Sequence, residues 1–234
     1  SGFGKHGGVS MRKKTLIVGA LAIALLAGGV LVASNMGFKL NYLLDGPGSN
    51  GSASGTSTVA LPYYQQTNLN NAEDLINDIN AVAGSPVVAS VARFVKSTDG
   101  LEAYTGFSGV NFLLVQGEGY FVTVNATVNY IVVGSHNPSL VINLEGPGGA
   151  RASASGTNLW SYPYHSTTGN AEDLIGEANA AAGSSVVASV ARFVGTNDGL
   201  EAYTGFSGVN FPLQAGEAYF ITVNADVSFL PAHY

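Results

Sequence analysis

Residues 71–126 read NAEDLINDINAVAGSPVVASVARFVKSTDGLEAYTGFSGVNFLLVQGEGYFVTVNA, and residues 170–225 read NAEDLIGEANAAAGSSVVASVARFVGTNDGLEAYTGFSGVNFPLQAGEAYFITVNA. Within them VVASVARFV and DGLEAYTGFSGVNF recur letter for letter. A unit that returns at one fixed spacing is a structural module used more than once. The likeness extends upstream, from LLDGPG (43–48) to NLEGPG (143–148) and from SASGT (52–56) to SASGT (153–157). The chain is therefore expected to hold two tandem domains, at 35–138 and 139–234.

Each module predicts one short helix and several strands. Asn70 and Asn71 offer an N-cap oxygen, and Glu73 and Asp74 lie in the first turn, where the helix dipole favours anions. Leu75, Ile76, Ile79 and Val82 share one face, and Gly84 ends the helix. The second copy repeats this with Asn170, Glu172, Asp173, Leu174, Ile175 and Gly183. Val87–Val95 reads as a strand, and Asp99-Gly100 supplies a turn tolerant of positive φ, so 101–107 is expected to return as a hairpin. Strands are also expected at Tyr120–Val124 and Val128–Val133. The fold class is mainly β, an α+β unit per repeat: two tandem antiparallel β-sandwich-like domains, each with one short helix, behind an N-terminal hydrophobic helix. Val132–Asn143 is too apolar for a loose linker and is expected to couple the domains as a strand-like connection.

Composition narrows the function classes. The chain carries 15 acidic and 9 basic residues and no cysteine. Downstream of residue 35 only Lys39, Arg93, Lys96, Arg151 and Arg192 are basic, while every acidic residue lies there. Nucleic acid and anionic membrane surfaces both call for basic patches and are disfavoured. The missing cysteine excludes disulfides, a thiolate nucleophile and Cys-ligated metal.

Arg12-Lys13-Lys14 ahead of an apolar run from Leu16 to Ala33, ending in Val32-Ala33-Ser34, describes a secretory signal over 11–34. An uncleaved membrane anchor is the rival reading, because the run approaches the length of a span. Residues 1–10 read as an over-extended frame ahead of Met11. The mature chain is expected to be secreted, extracellular or at the cell surface, touching membrane only through this segment.

No catalytic, cofactor-binding or metal-binding residue is expected. Glu118 and Glu217, in G-E-G/A-Y, read as structural glutamates at a tight turn with Arg93 and Arg192 as candidate partners, because no positioned acid–base partner accompanies them. Asp99, Glu102, Asp198 and Glu201 flank hairpin turns and read as solvated rather than calcium-binding. His136, His165 and His233 lack ligand spacing. Two surfaces remain as candidates. Phe38, Leu40, Tyr42 and Leu44 form an extended segment suited to completing a sheet edge of another subunit. Tyr63, Tyr64, Tyr104 and Phe107, repeated in part as Tyr164, Tyr203 and Phe206, form a candidate aromatic platform for sugar rings. Positions where the copies differ, such as Lys96 against Gly195, Val115 against Gln214 and Thr127 against Asp226, read as exposed.

The LPYY segment at 61–64, the AEDLI helix, the V-x-R-F…Y-T-G hairpin, the G-E-G-Y-F-V strand and the endings YIVVGSH and FLPAHY together resemble a group of uncharacterised bacterial exported β-repeat proteins. The resemblance spans nearly all of the mature chain. It implies an extracellular β-repeat protein and carries no catalytic residue with it. The expected function is a non-enzymatic structural protein, a homo-oligomeric filament or matrix subunit joined by strand contacts. The alternative is a glycan-binding adhesin.

Overall fold

Capping fixes both helices where the sequence places them. In the computed structural model, which describes residues 1–2, 37–48, 52–61, 64–65, 69–135, 137, 139–148, 153–163 and 166–232, helix α1 spans Ala72–Ala83 and α2 spans Ala171–Ala182. The Asn71 side chain accepts from the Asp74 amide, and the Asp74 carboxylate accepts from the Asn71 amide, closing a capping box. Asn170 caps α2 in the same way, but Asp173 reaches back to Gly169 instead. Gly84 and Gly183 end the helices at φ 69° and 68°, a conformation glycine adopts without strain. Leu75, Ile76 and Ile79 are buried, as expected. Val82 is not: it is 55 % exposed, and Ala83, one position on, packs against the core instead. The expectations for the leader and the hydrophobic segment fall on residues 3–34, outside the described set. No helix among the described residues is long and apolar enough to cross a membrane.

In chain order the first repeat holds β1 (Gly37–Leu44), β2 (Thr56–Ala60), β3 (Tyr64–Gln65), α1, β4 (Val88–Val95), β5 (Gly100–Tyr104), β6 (Gly119–Val124) and β7 (Val128–Ser135). The second holds β8 (Ile142–Leu144), β9 (Thr157–Ser161), α2, β10 (Val187–Val194), β11 (Gly199–Tyr203), β12 (Ala218–Val223) and β13 (Val227–Phe229). All ladders are antiparallel. The sheet orders are β1-β7-β3 and β2-β6-β4-β5 in the first repeat, and β13-β8 and β11-β10-β12-β9 in the second. Each repeat is a β-sandwich-like unit with one helix. The hairpin turns form at Asp99 and Asp198, which take φ 49° and 51°, in the left-handed region that Asp-Gly tolerates.

β1 and β7 are paired along their whole length, from Gly37 opposite Ser135 to Leu44 opposite Val128. Leu40, Tyr42, Leu44, Val128, Tyr130 and Val132 face inward, and the residues between them face outward or are only half-buried. This is the alternation of a sheet with one solvated face. The counterpart pair, β8 and β13, stops after three residues. Pro231 stands one residue past Leu230, where the ladder would continue, and Pro has no N–H to give it. Among the described residues between Ser135 and Ile142 none lies in a strand: the Leu140 amide donates to the Asn137 carbonyl at 3.3 Å, and the Ser139 amide to the Asn137 side chain at 3.1 Å.

Residues 37–234 form one compact unit. The expected tight coupling of the repeats therefore arises from direct contact of β2, β4 and β6 with β9, β10 and β12, not from a connecting strand.

Candidate functional site

β6 and β12 carry apolar residues on both faces, and each face has its own destination. Tyr120, Val122 and Val124 enter the core of the first repeat, and Tyr219, Ile221 and Val223 that of the second. The opposite face gathers Ala60, Ala92, Phe121, Leu159 and Ala218 into a third cluster, with Phe94, Phe193 and Phe220 packed on it. This junction has approximate two-fold symmetry. Phe94 meets Phe220 edge-on at 5.4 Å, and the equivalent Phe193 meets Phe121 edge-on at 5.4 Å. The Ala53 amide donates to the Gly195 carbonyl at 2.8 Å, and the Ala154 amide to the Lys96 carbonyl at 2.9 Å. The Ser54 hydroxyl donates to Asp198 at 2.9 Å, and the Ser155 hydroxyl to Asp99 at 2.9 Å. The Ala60 amide reaches the Gly216 carbonyl and the Ser161 amide the Gly117 carbonyl, both at 3.0 Å. The hairpin aspartates, expected to be solvated, thus tie one repeat to the other.

Equivalent positions of the two repeats meet at the axis. A Cβ added to Gly119 would lie 2.2 Å from the Ala218 Cβ and 3.4 Å from Leu159 Cγ. The two copies differ there, glycine against alanine, because two methyl groups do not fit.

Two clefts open beside the junction, related by the same pseudo-symmetry. The first, of about 230 Å³, is lined by residues 140–145 and 158–160 together with Lys96 and 115–118. The second, of about 370 Å³, is lined by residues 41–44 and 56–58 together with Phe193, Gly195 and 214–217. Their chemistry differs. The first contains an ion pair, Lys96 Nζ to Glu145 Oε1 at 3.3 Å, with both side chains largely buried. Lys96 was expected to be exposed; in fact it joins the repeats. Gly195 stands in its place in the second cleft. Gln116 and Trp160 line the first cleft, but their Nε2 and Nε1 atoms are buried from solvent and have no acceptor among the described residues.

Glu118 also lines the first cleft. Burial pushes its carboxyl above the ordinary 4.5, against the opposing pull of Lys96, the Tyr120 hydroxyl and Arg93, while Glu145 adds to the rise. The Tyr120 hydroxyl accepts from the Val115 amide at 2.6 Å and lies 3.3 Å from Glu118 Oε2. The Tyr219 hydroxyl makes the equivalent contacts to Gln214 and Glu217 at 2.7 and 2.6 Å. Burial, then the neighbouring glutamate, pushes both tyrosines up. The arginines are not the partners of these glutamates. Arg93 pairs with Glu102 at 2.6 Å and Arg192 with Glu201 at 2.7 Å, directly across the β4–β5 and β10–β11 ladders. Each guanidinium also lies over a phenylalanine ring, Phe112 or Phe211, at 5.0 Å. Cross-strand geometry, absent from linear spacing, decides this pairing.

The expected aromatic platform separates into unlike environments. Tyr104 and Tyr203 are half-buried against the cores, and their hydroxyls donate to the Gly106 and Gly205 carbonyls. Phe107 and Phe206 stand fully exposed, at 100 % and 101 %. Each sits on a loop fixed by hydrogen bonds between Thr105 and Ser108, or Thr204 and Ser207. A Cβ on Gly109 would lie 2.0 Å from the Ala103 carbonyl oxygen, so the chain crosses there only as glycine. Tyr63 and Tyr164 lie outside the described residues, and of Tyr64 the backbone alone is described. His136, His165 and His233 are also outside them. Among the described residues no group of three or more His, Cys, Asp or Glu gathers as a metal site would require. Leu40, Tyr42 and Leu44 are committed to the chain's own core; of Phe38 only the backbone is described.

Comparison with protein-family models, with curated proteins and with solved structures finds no match. The junction and its clefts escaped the linear reading. The available signal was the run Tyr120-Phe121-Val122, where a half-buried strand would alternate.

Proposed function

We propose that the chain is a non-enzymatic secreted or cell-surface structural protein, a subunit that assembles with copies of itself into an extracellular filament or matrix. The observation that carries this reading is the duplicated presentation of Phe107 and Phe206 by one compact two-repeat unit. A phenylalanine side chain left in water forgoes about 1.5–3 kcal/mol of burial. A loop held by its own hydrogen bonds keeps the ring from folding back. Leu101 and Leu200, also exposed, lie on the outer strands β5 and β11 nearby in sequence. Two equivalent contact points per chain suit propagation from subunit to subunit. β1 adds a further route: it ends its sheet order, with β7 on one side. In this reading a neighbouring chain adds to its backbone edge, and Leu40, Tyr42 and Leu44 stay in the core.

Negative-stain microscopy and sedimentation of the chain at high concentration test the proposal. Assemblies are expected, and Phe107→Ser with Phe206→Ser is expected to disperse them. A parent chain that stays monomeric, or assemblies indifferent to both substitutions, would contradict it. The same exposed rings also favour a second reading, an adhesin whose phenylalanines stack on surface glycans; glycan-array binding lost in the double variant, without assembly, supports that reading instead.

A further inference from the structure

Residues 103–117 carry no charged side chain and no histidine, and neither do residues 202–216. The chain as a whole has a formal net charge of −6. Two copies that approach through acidic surface repel each other, and an uncharged patch is where that repulsion is least. Both stretches hold an exposed phenylalanine within the letter-for-letter repeat LEAYTGFSGVNF, at 101–112 and 200–211.

The two patches also match in three dimensions. Leu101, Phe107 and Val110 are 60, 100 and 48 % exposed, and Leu200, Phe206 and Val209 are 60, 101 and 49 % exposed. Ala103 and Ala202 are exposed on the same strand face as Leu101 and Leu200, as alternation requires. The Val209 amide donates to the Ala202 carbonyl at 3.1 Å, which sets that valine beside β11. Each phenylalanine lies beyond the end of its strand opposite the Asp99 or Asp198 turn that meets the other repeat.

The polar groups round each ring are already engaged. The Thr105 and Ser108 hydroxyls lie 3.0 Å apart, and the Ser108 amide donates to Thr105 Oγ1 at 3.1 Å; Thr204 and Ser207 repeat both distances. Asn111 accepts from the Glu73 amide at 3.0 Å and donates to its carboxylate at 3.1 Å, as Asn210 does with Glu172 at 3.0 and 3.2 Å. A sugar calls for polar groups set around its apolar wall. These patches turn theirs inward and leave apolar surface outside. Absence of charge around an aromatic residue is the composition of a protein–protein interface core.

We infer that each uncharged patch, Phe107 with Ala103 and Val110 or Phe206 with Ala202 and Val209, docks on the same patch of another copy of this chain. The inference rests on the assembly reading above and names its contact. Because the patches are alike, the contact is isologous, each ring resting on its counterpart's patch across a local two-fold axis. Two patches per chain pass the contact from copy to copy. Each contact is small: an aromatic side chain buries roughly 150–250 Å², against the roughly 1,200–2,000 Å² of a standard stable interface. The assembly is therefore reversible and forms at high concentration.

Sedimentation of the full chain over a range of concentrations tests this, with Phe107→Ser/Phe206→Ser as the baseline. The parent is expected to form species of several chains that dissociate on dilution. Phe107→Ser alone and Phe206→Ser alone each keep one patch and are expected to stop at dimers. Both residues are fully exposed, so circular dichroism is expected to report the parent fold in every variant. Species larger than dimers in either single variant, or no dimer above the baseline in either, would overturn the inference; where the parent assembles and the double variant disperses, the assembly proposal still stands. A parent that stays monomeric, with or without glycan binding through the rings, overturns both.

Discussion

β6 and β12 are buried on both faces, whereas β1 and β7 alternate between buried and exposed residues along their length. The first pair lies between a core and the other repeat; the second lies between a core and water. The two regions also differ in how far the copies have diverged. At the junction the paired phenylalanines and the hydrogen bonds of Ala53 and Ala154, and of Ser54 and Ser155, are matched to within a tenth of an ångström, with ring distances of 5.4 and 5.4 Å. At the outer sheets an eight-residue ladder in one repeat faces a three-residue ladder in the other. A pseudo-two-fold contact explains the contrast. A side chain there must fit both its neighbours and its own counterpart, so a change is felt on both sides of the axis. The outer sheets carry no such double constraint.

Substitutions at the junction are expected to cost more than those on the outer sheets. Phe121→Ala removes a ring that touches both Phe193 and Phe220, and a loss of about 3–5 kcal/mol is expected by chemical denaturation. Leu43→Ala, on the solvated face of β1, is expected to change stability by less than about 0.5 kcal/mol. Equal losses at the two sites would remove the distinction. Gly119→Ala sets two methyl groups against each other at the axis, with an expected cost of about 1–3 kcal/mol. Adding Ala218→Gly should restore most of it, and a double variant as unstable as the single one would show that the axis lies elsewhere.

Smaller effects separate the copies from each other. Asn71→Ala and Asn170→Ala should each cost about 1 kcal/mol. Asp74→Ala should cost more than Asp173→Ala, because only Asp74 closes its capping box. Thermal melts compare the two. The pH dependence is the finest distinction. The folded chain holds the Glu118 proton more tightly than the unfolded chain, so this stabilisation is full at low pH and is lost as pH rises above 4.5 through the raised folded value. The charged groups facing Glu118 are Lys96, Arg93 and Glu145, with the Tyr120 hydroxyl. Glu118→Gln is expected to flatten the decline measured by denaturation across this range; an unchanged slope would assign it to another group.

Much of the fold was legible in the chain because it is local. Asn71, Gly84 and Asp99 each act within a few residues, and the caps and turns formed as read. The repeat showed one module used twice, and the two copies pack within one compact unit. The junction was less legible because its contacts join residues such as Ser54 and Asp198, or Ser155 and Asp99, which no local pattern links. Lys96 illustrates the difficulty: its difference from Gly195 suggested an exposed position, yet the partner that draws it inward, Glu145, belongs to the other repeat. The first cleft was invisible for the same reason, being built from four separated segments of both repeats.

The two repeats are expected to unfold as one unit, because the junction joins them. Leu75 is fully buried in the core of the first repeat, and Trp160 lies in that of the second. In equilibrium denaturation of Leu75→Ala, the midpoint reported by Trp160 should fall together with that of the far-ultraviolet circular dichroism. A Trp160 midpoint unmoved from the parent chain, beside a partial early loss of dichroism, would contradict it.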